Sequence, residues 1–192
     1  MRDTRILVGV VLLAVVFTAP VLREGSFLNA IIRLAGYILL SACAIGRIYS
    51  TAFIGGVKND KLVTAGPYSM CRNPLYFYSL LGAAGLGLLS GEIIPTAIIT
   101  GGFLFIYNGL ISREEGFLAE KFGQSFAAFK ASTPRLLPDL KKYNCPDELP
   151  FQPRYFNMAV RDAAWWFVAV PFYELIHALQ HAGIIKPLFA LL

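Results

Sequence analysis

Repeated apolar runs, each close to the length of a membrane-spanning helix, constrain this chain more than any other feature. Five such runs occur in the sequence, and they cover residues 6–22, 28–46, 75–90, 93–111 and 163–179. A helix of about 20 apolar residues crosses a bilayer, and somewhat shorter spans also occur. The runs predict an all-α fold, a polytopic membrane helix bundle of about five transmembrane helices. The apolar tail from residue 184 onward is too short to cross.

The composition excludes several other classes of protein. Hydrophobic residues make up 56% of the 192 residues, charged residues make up only 15%, and the mean hydropathy is +0.59. Soluble domains average about 45–50% apolar and roughly 25% charged residues, and a disordered chain is less apolar still. The three cysteines, Cys43, Cys71 and Cys145, are scattered and imply neither a disulfide framework nor a zinc site.

The distribution of basic residues predicts the orientation of the bundle. Fourteen of the 17 lysines and arginines fall in residues 1–5, 47–73 and 112–161. Basic residues concentrate on the cytoplasmic side of membrane proteins, so the net charge of +5 indicates a membrane face and not a nucleic-acid partner. The sequence therefore predicts a multi-pass protein whose N-terminus and both long polar segments are cytoplasmic.

The first long polar segment carries a turn followed by the start of a helix. Gly66-Pro67 favours a turn, and Pro74 stands at the start of the third apolar run, where proline is tolerated in the first helical turn. Backbone donors at the positive end of a helix dipole suit an anionic group such as a carboxylate. This segment is therefore a candidate binding site.

The second long polar segment carries an acidic pair and an amphipathic pattern. Glu114 and Glu115 stand where the fourth run leaves the membrane, and acidic groups at such a place are functional candidates. Apolar residues then recur at spacings of four, four and three, which predicts an amphipathic interfacial helix. These residues are Leu118, Phe122, Phe126 and Phe129.

Three ordered blocks of the sequence resemble a known family. The first block has Gly66, Tyr68 and the run Arg72-Asn73-Pro74-Leu75-Tyr76, the second has Glu114-Glu115, Leu118 and Phe122-Gly123, and the third is Pro134-Arg135-Leu136-Leu137-Pro138. Together they resemble the isoprenylcysteine carboxyl methyltransferase and phospholipid methyltransferase superfamily. That resemblance implies an integral membrane enzyme that uses S-adenosylmethionine and encloses it with cytoplasmic loops and helix ends.

The resemblance also implies a set of site residues. The expected organisation is one domain of residues 1–192, with an N-terminal helical hairpin over 1–57, a cofactor-binding core over 58–140 and a C-terminal extension over 141–192 that holds the fifth span. The cofactor-binding residues implied by the motif positions are Lys61, Leu62, Val63, Gly66, Tyr68, Arg72, Asn73, Pro74, Leu75, Tyr76 and Glu114.

Two departures from the family pattern bear on the methyl acceptor. Asn73 replaces the histidine that is usual in carboxyl methyltransferases, and Leu110 stands where those enzymes usually carry an arginine. A buried carboxylate without a partner is costly, so a neutral or cationic lipid head group is favoured. An amine acceptor must also lose a proton, for which Glu115 and Tyr76 are the catalytic candidates. Arg113 and Arg135 are the substrate-binding candidates.

Each signal also has a plainer interpretation. The glutamate pair can be a solvated helix end, the phenylalanine stripe can be ordinary packing, and Arg135 can contact lipid phosphate. Glu174, His177 and His181 share one face of the fifth run, but a second copy of the motif would be needed for a metal site. A polar helix-packing face is favoured there, and no metal is expected.

Several functions remain open from the sequence. The favoured function is methyl transfer from S-adenosylmethionine to a lipid or lipid-linked acceptor that enters sideways from the bilayer. The alternatives are a prenylcysteine carboxyl O-methyltransferase, a membrane reductase with a nicotinamide cofactor, and a non-catalytic relative. The expected partners are the bilayer and a lipidic small molecule, without nucleic acid.

Overall fold

The computed structural model describes residues 18–19, 26–89, 93–149, 152–184 and 189–190. Most of the first apolar run therefore lies outside the described residues. Residues 90–92, between the third and fourth runs, and most of the apolar tail also lie outside them.

Helices account for about three quarters of the described chain, which confirms the all-α fold class. In chain order the elements are β1 (Thr18–Ala19), α1 (Phe27–Ile54), α2 (Pro67–Met70), α3 (Pro74–Leu89), α4 (Ile93–Ser132), a 3-10 helix (Leu140–Lys142), α5 (Pro153–His181) and β2 (Phe189–Ala190). The two short strands pair in parallel. Prolines open α2, α3 and α5, where the absent N–H has no intrahelical acceptor to lose.

The predicted number of spans is not confirmed by the described helices. Among the described residues, α1 is the helix that is both long and apolar enough to cross a membrane, and α3 is a shorter apolar helix of 16 residues. The fourth and fifth apolar runs lie inside α4 and α5, which extend well beyond them into charged sequence. These helices therefore support a helical fold, but they do not establish the predicted number of about five transmembrane helices.

The helices pack around α1 and α3. α1 lies against α3 and α5, and α4 lies against α3. The backbones of α1 and α3 come close at two glycines, because a Cβ on Gly36 would stand 2.9 Å from the Gly85 carbonyl oxygen. Small residues allow such close packing between membrane helices. An ion pair between Arg33 and Glu174 also joins α1 to α5.

The core forms where all four long helices meet. Trp166 of α5 is fully buried there, and a Cβ on Gly82 of α3 would stand 2.7 Å from its ring. The other buried members of this core come from α1, α3 and α4, and they are Leu40, Cys43, Ala83, Leu86, Leu89, Phe103, Tyr107 and Ile111. This core fixes the relative rotation of the helices and hence which polar side chains face one another.

The predicted interfacial helix lies in the last part of α4, where a kink divides it. Gly123 interrupts the helical conformation with φ +50° and ψ −121°, a combination that favours glycine. Beyond this kink, Phe126 and Phe129 turn inward and are 2% and 9% exposed. Their rings meet edge to face with centroids 6.4 Å apart. The amphipathic stripe thus packs the end of α4 onto the rest of the molecule.

Candidate functional site

The segment between α1 and α3 is held in shape by a glycine turn and by the chain after α4. Gly66 has φ +58° and packs against the Phe53 ring, so a side chain at this position would be strained and would clash. Its N–H donates to the Asn144 carbonyl at 2.7 Å, and the Ser69 hydroxyl donates to the Gly66 carbonyl at 2.7 Å. The turn therefore fixes where Tyr68 points.

A small cavity of about 80 Å³ lies beneath this segment. It is lined by all but one of the residues that the family motifs assign to the cofactor, which are Lys61, Leu62, Val63, Tyr68, Arg72, Asn73, Pro74, Leu75, Tyr76 and Glu114. Gly66 is the exception: it forms the turn but does not line the cavity. The wall is completed by residues that were not among the expected cofactor-binding residues, namely Ile54, Lys58, Asn59, Leu118 and Phe129.

The Tyr68 hydroxyl is an unusual feature of the small cavity. It is buried and has no hydrogen-bond partner among the described residues. The pKa of Tyr68 lies far above its ordinary value, because burial disfavours the phenolate and because the Glu114 carboxylate is close. The group is therefore a neutral donor. Buried polar groups are nearly always hydrogen-bonded in proteins, so this hydroxyl is a candidate ligand contact.

A buried polar network joins the first motif block to the second motif block and to the chain at the end of α4. Glu115 is 8% exposed, and its Oε1 accepts from Arg72 Nε at 2.9 Å and from Asn73 Nδ2 at 3.2 Å. Arg72 Nη1 also donates to the carbonyls of Lys130 and Thr133 at 2.8 and 2.7 Å. These bonds satisfy the charges and tie the start of α3 to the end of α4.

The two glutamates of the pair have different surroundings. Glu114 faces the small cavity and pairs with Lys58 at 3.0 Å. Glu115 lines neither of the two cavities described here, because its carboxylate is held by Arg72 and Asn73. Adjacent residues of a helix point about 100° apart. Glu114 can therefore line the cavity while Glu115 joins the polar network of Arg72 and Asn73.

The two arginines expected to bind substrate lie outside the described cavities. Arg113 is exposed on α4. Arg135 donates from Nη1 to Asn108 Oδ1 at 2.6 Å and from Nη2 to Ser112 Oγ at 2.7 Å. Its Nε lies 4.0 Å from Glu115 Oε2. Arg135 thus braces the third motif block against α4, and its substrate role stays a prediction.

A larger cavity of about 410 Å³ lies beside the small one, between α1, α3, α4 and α5. Ligand cavities typically measure roughly 300–1,000 Å³. The two cavities share a wall made of Ile54, Lys58, Leu75, Tyr76 and Glu114. The Tyr76 ring in that wall packs against the Tyr107 ring with centroids 4.9 Å apart.

The larger cavity contains polar residues that the motifs did not identify. Arg47 of α1 pairs with Asp162 of α5, and the Arg47 guanidinium also donates to Ser79 of α3. In the sequence, Arg47 and Asp162 look like charges that flank apolar runs, one after the second run and one before the fifth. The opposite charges of Arg47 and Asp162 were the only sign in the sequence of this pairing. Only the packing of α1 on α5 brings them together. The described residues contain no cluster of three or more metal-ligating side chains.

Known proteins resemble the chain over much of its length. The phospholipid methyltransferase family profile matches residues 27–125. The cobalt-zinc-cadmium resistance protein CzcN of Cupriavidus metallidurans is 32% identical over 171 residues, which cover 88% of this chain and 77% of that protein. The nickel-cobalt-cadmium resistance protein NccN of Alcaligenes xylosoxydans xylosoxydans is 29% identical over 188 residues, which cover 98% and 87%.

A more distant relative carries an enzyme name. The protein-S-isoprenylcysteine O-methyltransferase of Schizosaccharomyces pombe is 27% identical over 106 residues, which cover 54% of this chain and 45% of that protein. No solved structure is significantly similar.

These matches confirm the superfamily that the three motif blocks indicated. The profile match runs from the start of α1 to just past Gly123, so it includes the loop around the small cavity and the glutamate pair of α4. The family is one of methyltransferases, and its members are membrane proteins. The chain belongs to the phospholipid methyltransferase family.

Proposed function

We propose that this protein transfers a methyl group from S-adenosylmethionine to a lipid or lipid-linked acceptor at the cytoplasmic face of a membrane. One observation carries the proposal. All but one of the residues that the motifs assign to the cofactor line one small cavity, and that cavity shares a wall with a larger one that leaves room for a second molecule. A transferase of this kind needs two adjoining sites, one for the donor and one for the acceptor.

The residues around the small cavity suit the chemical groups of S-adenosylmethionine. The Tyr68 hydroxyl is a buried donor without a partner among the described residues, and the Glu114 carboxylate is an acceptor for an amino group or ribose hydroxyls. The ring of Tyr76 can stack on a base or face a sulfonium. The cavity of about 80 Å³ holds only part of such a molecule, so the cofactor would extend along the shared wall into the larger cavity.

The cofactor supplies an electrophilic methyl group, and the protein supplies positioning. In-line displacement gains most of its acceleration from holding the reacting atoms in place and excluding water. Tyr76 lies in the wall between the cavities, so it is the better placed of the two proposed proton acceptors. Glu115 is better suited to hold Arg72 and Asn73 in position.

The proposed membrane topology has about five spans with the N-terminus in the cytoplasm. The strong bias of basic residues supports it, as does the apolar length of α1. Cysteine labelling in intact cells tests the topology, because residues introduced in the segment 112–161 must react only after the cytoplasmic side is opened. Labelling of that segment from outside would overturn both the topology and the cytoplasmic active site.

Cofactor binding to the purified protein tests the proposed reaction directly. We expect S-adenosylmethionine to bind to the wild type, and Glu114→Gln to bind it more than tenfold more weakly, because a charge-assisted hydrogen bond typically contributes about 1.5–3 kcal/mol. Glu120→Gln is the matched control, since Glu120 is an exposed glutamate of the same helix. Unchanged affinity of the Glu114 variant would remove this residue from the site.

The acceptor is tested with lipids and a methyl-labelled cofactor. Label is expected in a lipid with an amine head group and not in a farnesylated cysteine analogue. If only the cysteine analogue is labelled, the inference drawn from Leu110 is wrong. Binding of NADPH in place of S-adenosylmethionine would favour the reductase alternative, and binding of neither would favour a non-catalytic relative.

A second candidate function is a contribution to metal resistance. Two relatives that align over most of this chain are named as resistance proteins for cobalt, cadmium and either zinc or nickel. We propose that the protein raises tolerance to these cations through methylation of a membrane component. Deletion is expected to lower tolerance, wild-type protein is expected to restore it, and Glu114→Gln is expected not to. Full restoration by the Glu114 variant would separate resistance from methyl transfer.

A further inference from the structure

We propose that the ion pair between Arg47 and Asp162 binds the polar head of the methyl acceptor, and that Asp162 selects an acceptor with an amino group. This inference rests on the proposed methyltransferase function and assigns the larger of the two cavities. Neither residue belongs to the three motif blocks, and Asp162 lies outside the part of the chain matched by the family profile.

The ion pair lies deep in the wall of the larger cavity. Arg47 is seven residues from the end of α1, about 10 Å along the helix. Its side chain is 12% exposed and that of Asp162 is 5% exposed. The guanidinium donates to Asp162 Oδ2, to the Ser79 hydroxyl and, at 3.5 Å, to the Leu75 carbonyl. Three helices therefore hold this pair in one geometry.

Two atoms of the pair have unused hydrogen-bonding capacity. Asp162 Oδ1 and Arg47 Nε are buried and have no hydrogen-bond partner among the described residues. Such atoms are uncommon, because buried charged groups are normally paired and fully hydrogen-bonded. The carboxylate oxygen can only accept and the guanidinium N–H can only donate. A single ligand that satisfies both atoms presents a donor and an acceptor, as an ammonium next to a phosphate oxygen does.

The charges that line the larger cavity favour the same ligand. Arg47 balances Asp162, and Lys58 balances Glu114, which leaves Asp60 as the remaining charged residue of the lining. The lining is therefore slightly negative. A free carboxylate would meet no unbalanced cation there, whereas an ammonium would meet the free oxygen of Asp162.

The position of the pair relative to the proposed cofactor site supports a role in acceptor binding. Arg47 and Asp162 share the larger cavity with Leu75, Tyr76 and Glu114, and those three residues also line the small cavity. A head group held by the pair would thus lie in the cavity into which the cofactor extends along the shared wall. Apolar residues such as Leu110 and Met158 line the same cavity and suit the carbon chain of a lipid.

Lipid binding without cofactor tests this assignment. The purified full-length protein in detergent is titrated with dihexanoylphosphatidylethanolamine and, as the lipid without an amine, dihexanoylphosphatidylglycerol. The wild type is expected to prefer the ethanolamine lipid. Asp162→Asn keeps the size of the side chain and removes its charge, so affinity for the ethanolamine lipid is expected to fall more than tenfold while affinity for the cofactor changes less than twofold. Asp147→Asn, at an exposed site, is the matched control and is expected to change neither affinity.

If Asp162→Asn does not fold, the double variant Arg47→Asp with Asp162→Arg tests the assignment instead, because it keeps an internal ion pair with the charges exchanged. It is expected to melt cooperatively and to lose the preference for the ethanolamine lipid. Equal binding of the two lipids to the wild type, or wild-type preference in a folded variant of Asp162, would overturn the assignment. A protein that prefers the ethanolamine lipid but does not bind S-adenosylmethionine would overturn the proposed function and leave this site standing.

Discussion

The two cavities share a wall, yet they are assembled in different ways. The small cavity takes most of its lining from one stretch of chain between the end of α1 and the start of α3, and α4 closes it. The larger cavity takes most of its lining from four helices, and its ion pair joins residues 115 positions apart. A site built from neighbouring residues leaves a motif in the sequence. A site built by helix packing leaves only single polar residues next to apolar runs.

The largest loss of stability is expected when the ion pair between Arg47 and Asp162 in the larger cavity is broken. Arg47→Met leaves the Asp162 carboxylate buried without its partner, and removal of one member of a buried pair typically costs about 3–5 kcal/mol of unfolding free energy. The double variant Arg47→Met with Asp162→Leu is expected to recover most of that loss, since no isolated charge remains. Thermal unfolding of the purified protein measures both.

The exposed ion pair between Lys58 and Glu114, on the wall that the two cavities share, provides the comparison with the buried pair. Lys58 and Glu114 are 56% and 36% exposed, so Lys58→Met is expected to change the free energy of unfolding by less than about 1 kcal/mol. Equal destabilisation by the Arg47 and Lys58 variants would show that burial does not distinguish the two ion pairs.

The next prediction distinguishes a structural role of Glu115, which holds Arg72 and Asn73 in position, from a catalytic role. Glu115→Gln keeps the shape of the side chain but weakens its bonds to Arg72 and Asn73, which typically costs about 1.5–3 kcal/mol for bonds to charged groups. We expect a lower melting temperature and a weaker affinity for S-adenosylmethionine, with a pH profile of methyl transfer like that of the wild type. A stable variant that binds the cofactor normally but has lost turnover would instead make Glu115 the proton acceptor.

A smaller effect with opposite signs is expected for Tyr68→Phe. Removal of a buried hydroxyl that has no partner among the described residues is expected to leave the ligand-free protein unchanged or stabilise it by about 1 kcal/mol. The same change is expected to weaken cofactor binding about twofold to tenfold, the usual range for one neutral hydrogen bond. Melting curves and titrations on one preparation test both signs. Destabilisation of the ligand-free protein would show that the hydroxyl already has a structural role.

The smallest effect concerns the cysteine beside the first motif block. Burial raises the pKa of the Cys71 thiol from 9.0 to about 11, so it stays protonated at pH 8 and is expected to react with iodoacetamide far more slowly than the exposed Cys145. The folded state keeps a proton that the unfolded chain releases, so this contribution to stability is complete below pH 9 and is lost as the pH rises towards 11. Mass spectrometry of labelled peptides measures the two rates. Equal rates would show that the segment around Cys71 opens readily.

Much of the fold followed from the pattern of residues. The apolar runs identified the positions of α1, α3, α4 and α5, because an apolar stretch with few charges favours a buried or membrane helix. Their ends were harder to locate, since α4 continues through charged sequence as far as Ser132 and only Gly123 marks the kink. The pattern of the predicted interfacial helix was therefore right, but the kink that divides it at Gly123 was not predicted.

The sequence by itself determined the helical class, the superfamily and most of the lining of the small cavity, because those residues lie close together in the chain and carry their geometry in local turns. Only the tertiary structure decided which glutamate of the pair faces a cavity, and that Arg47 meets Asp162. Both depend on how far each helix is rotated about its axis. That rotation is set by the packing of many apolar side chains and close glycine contacts, such as those around Trp166 and between Gly36 and Gly85, and no short stretch of sequence encodes it.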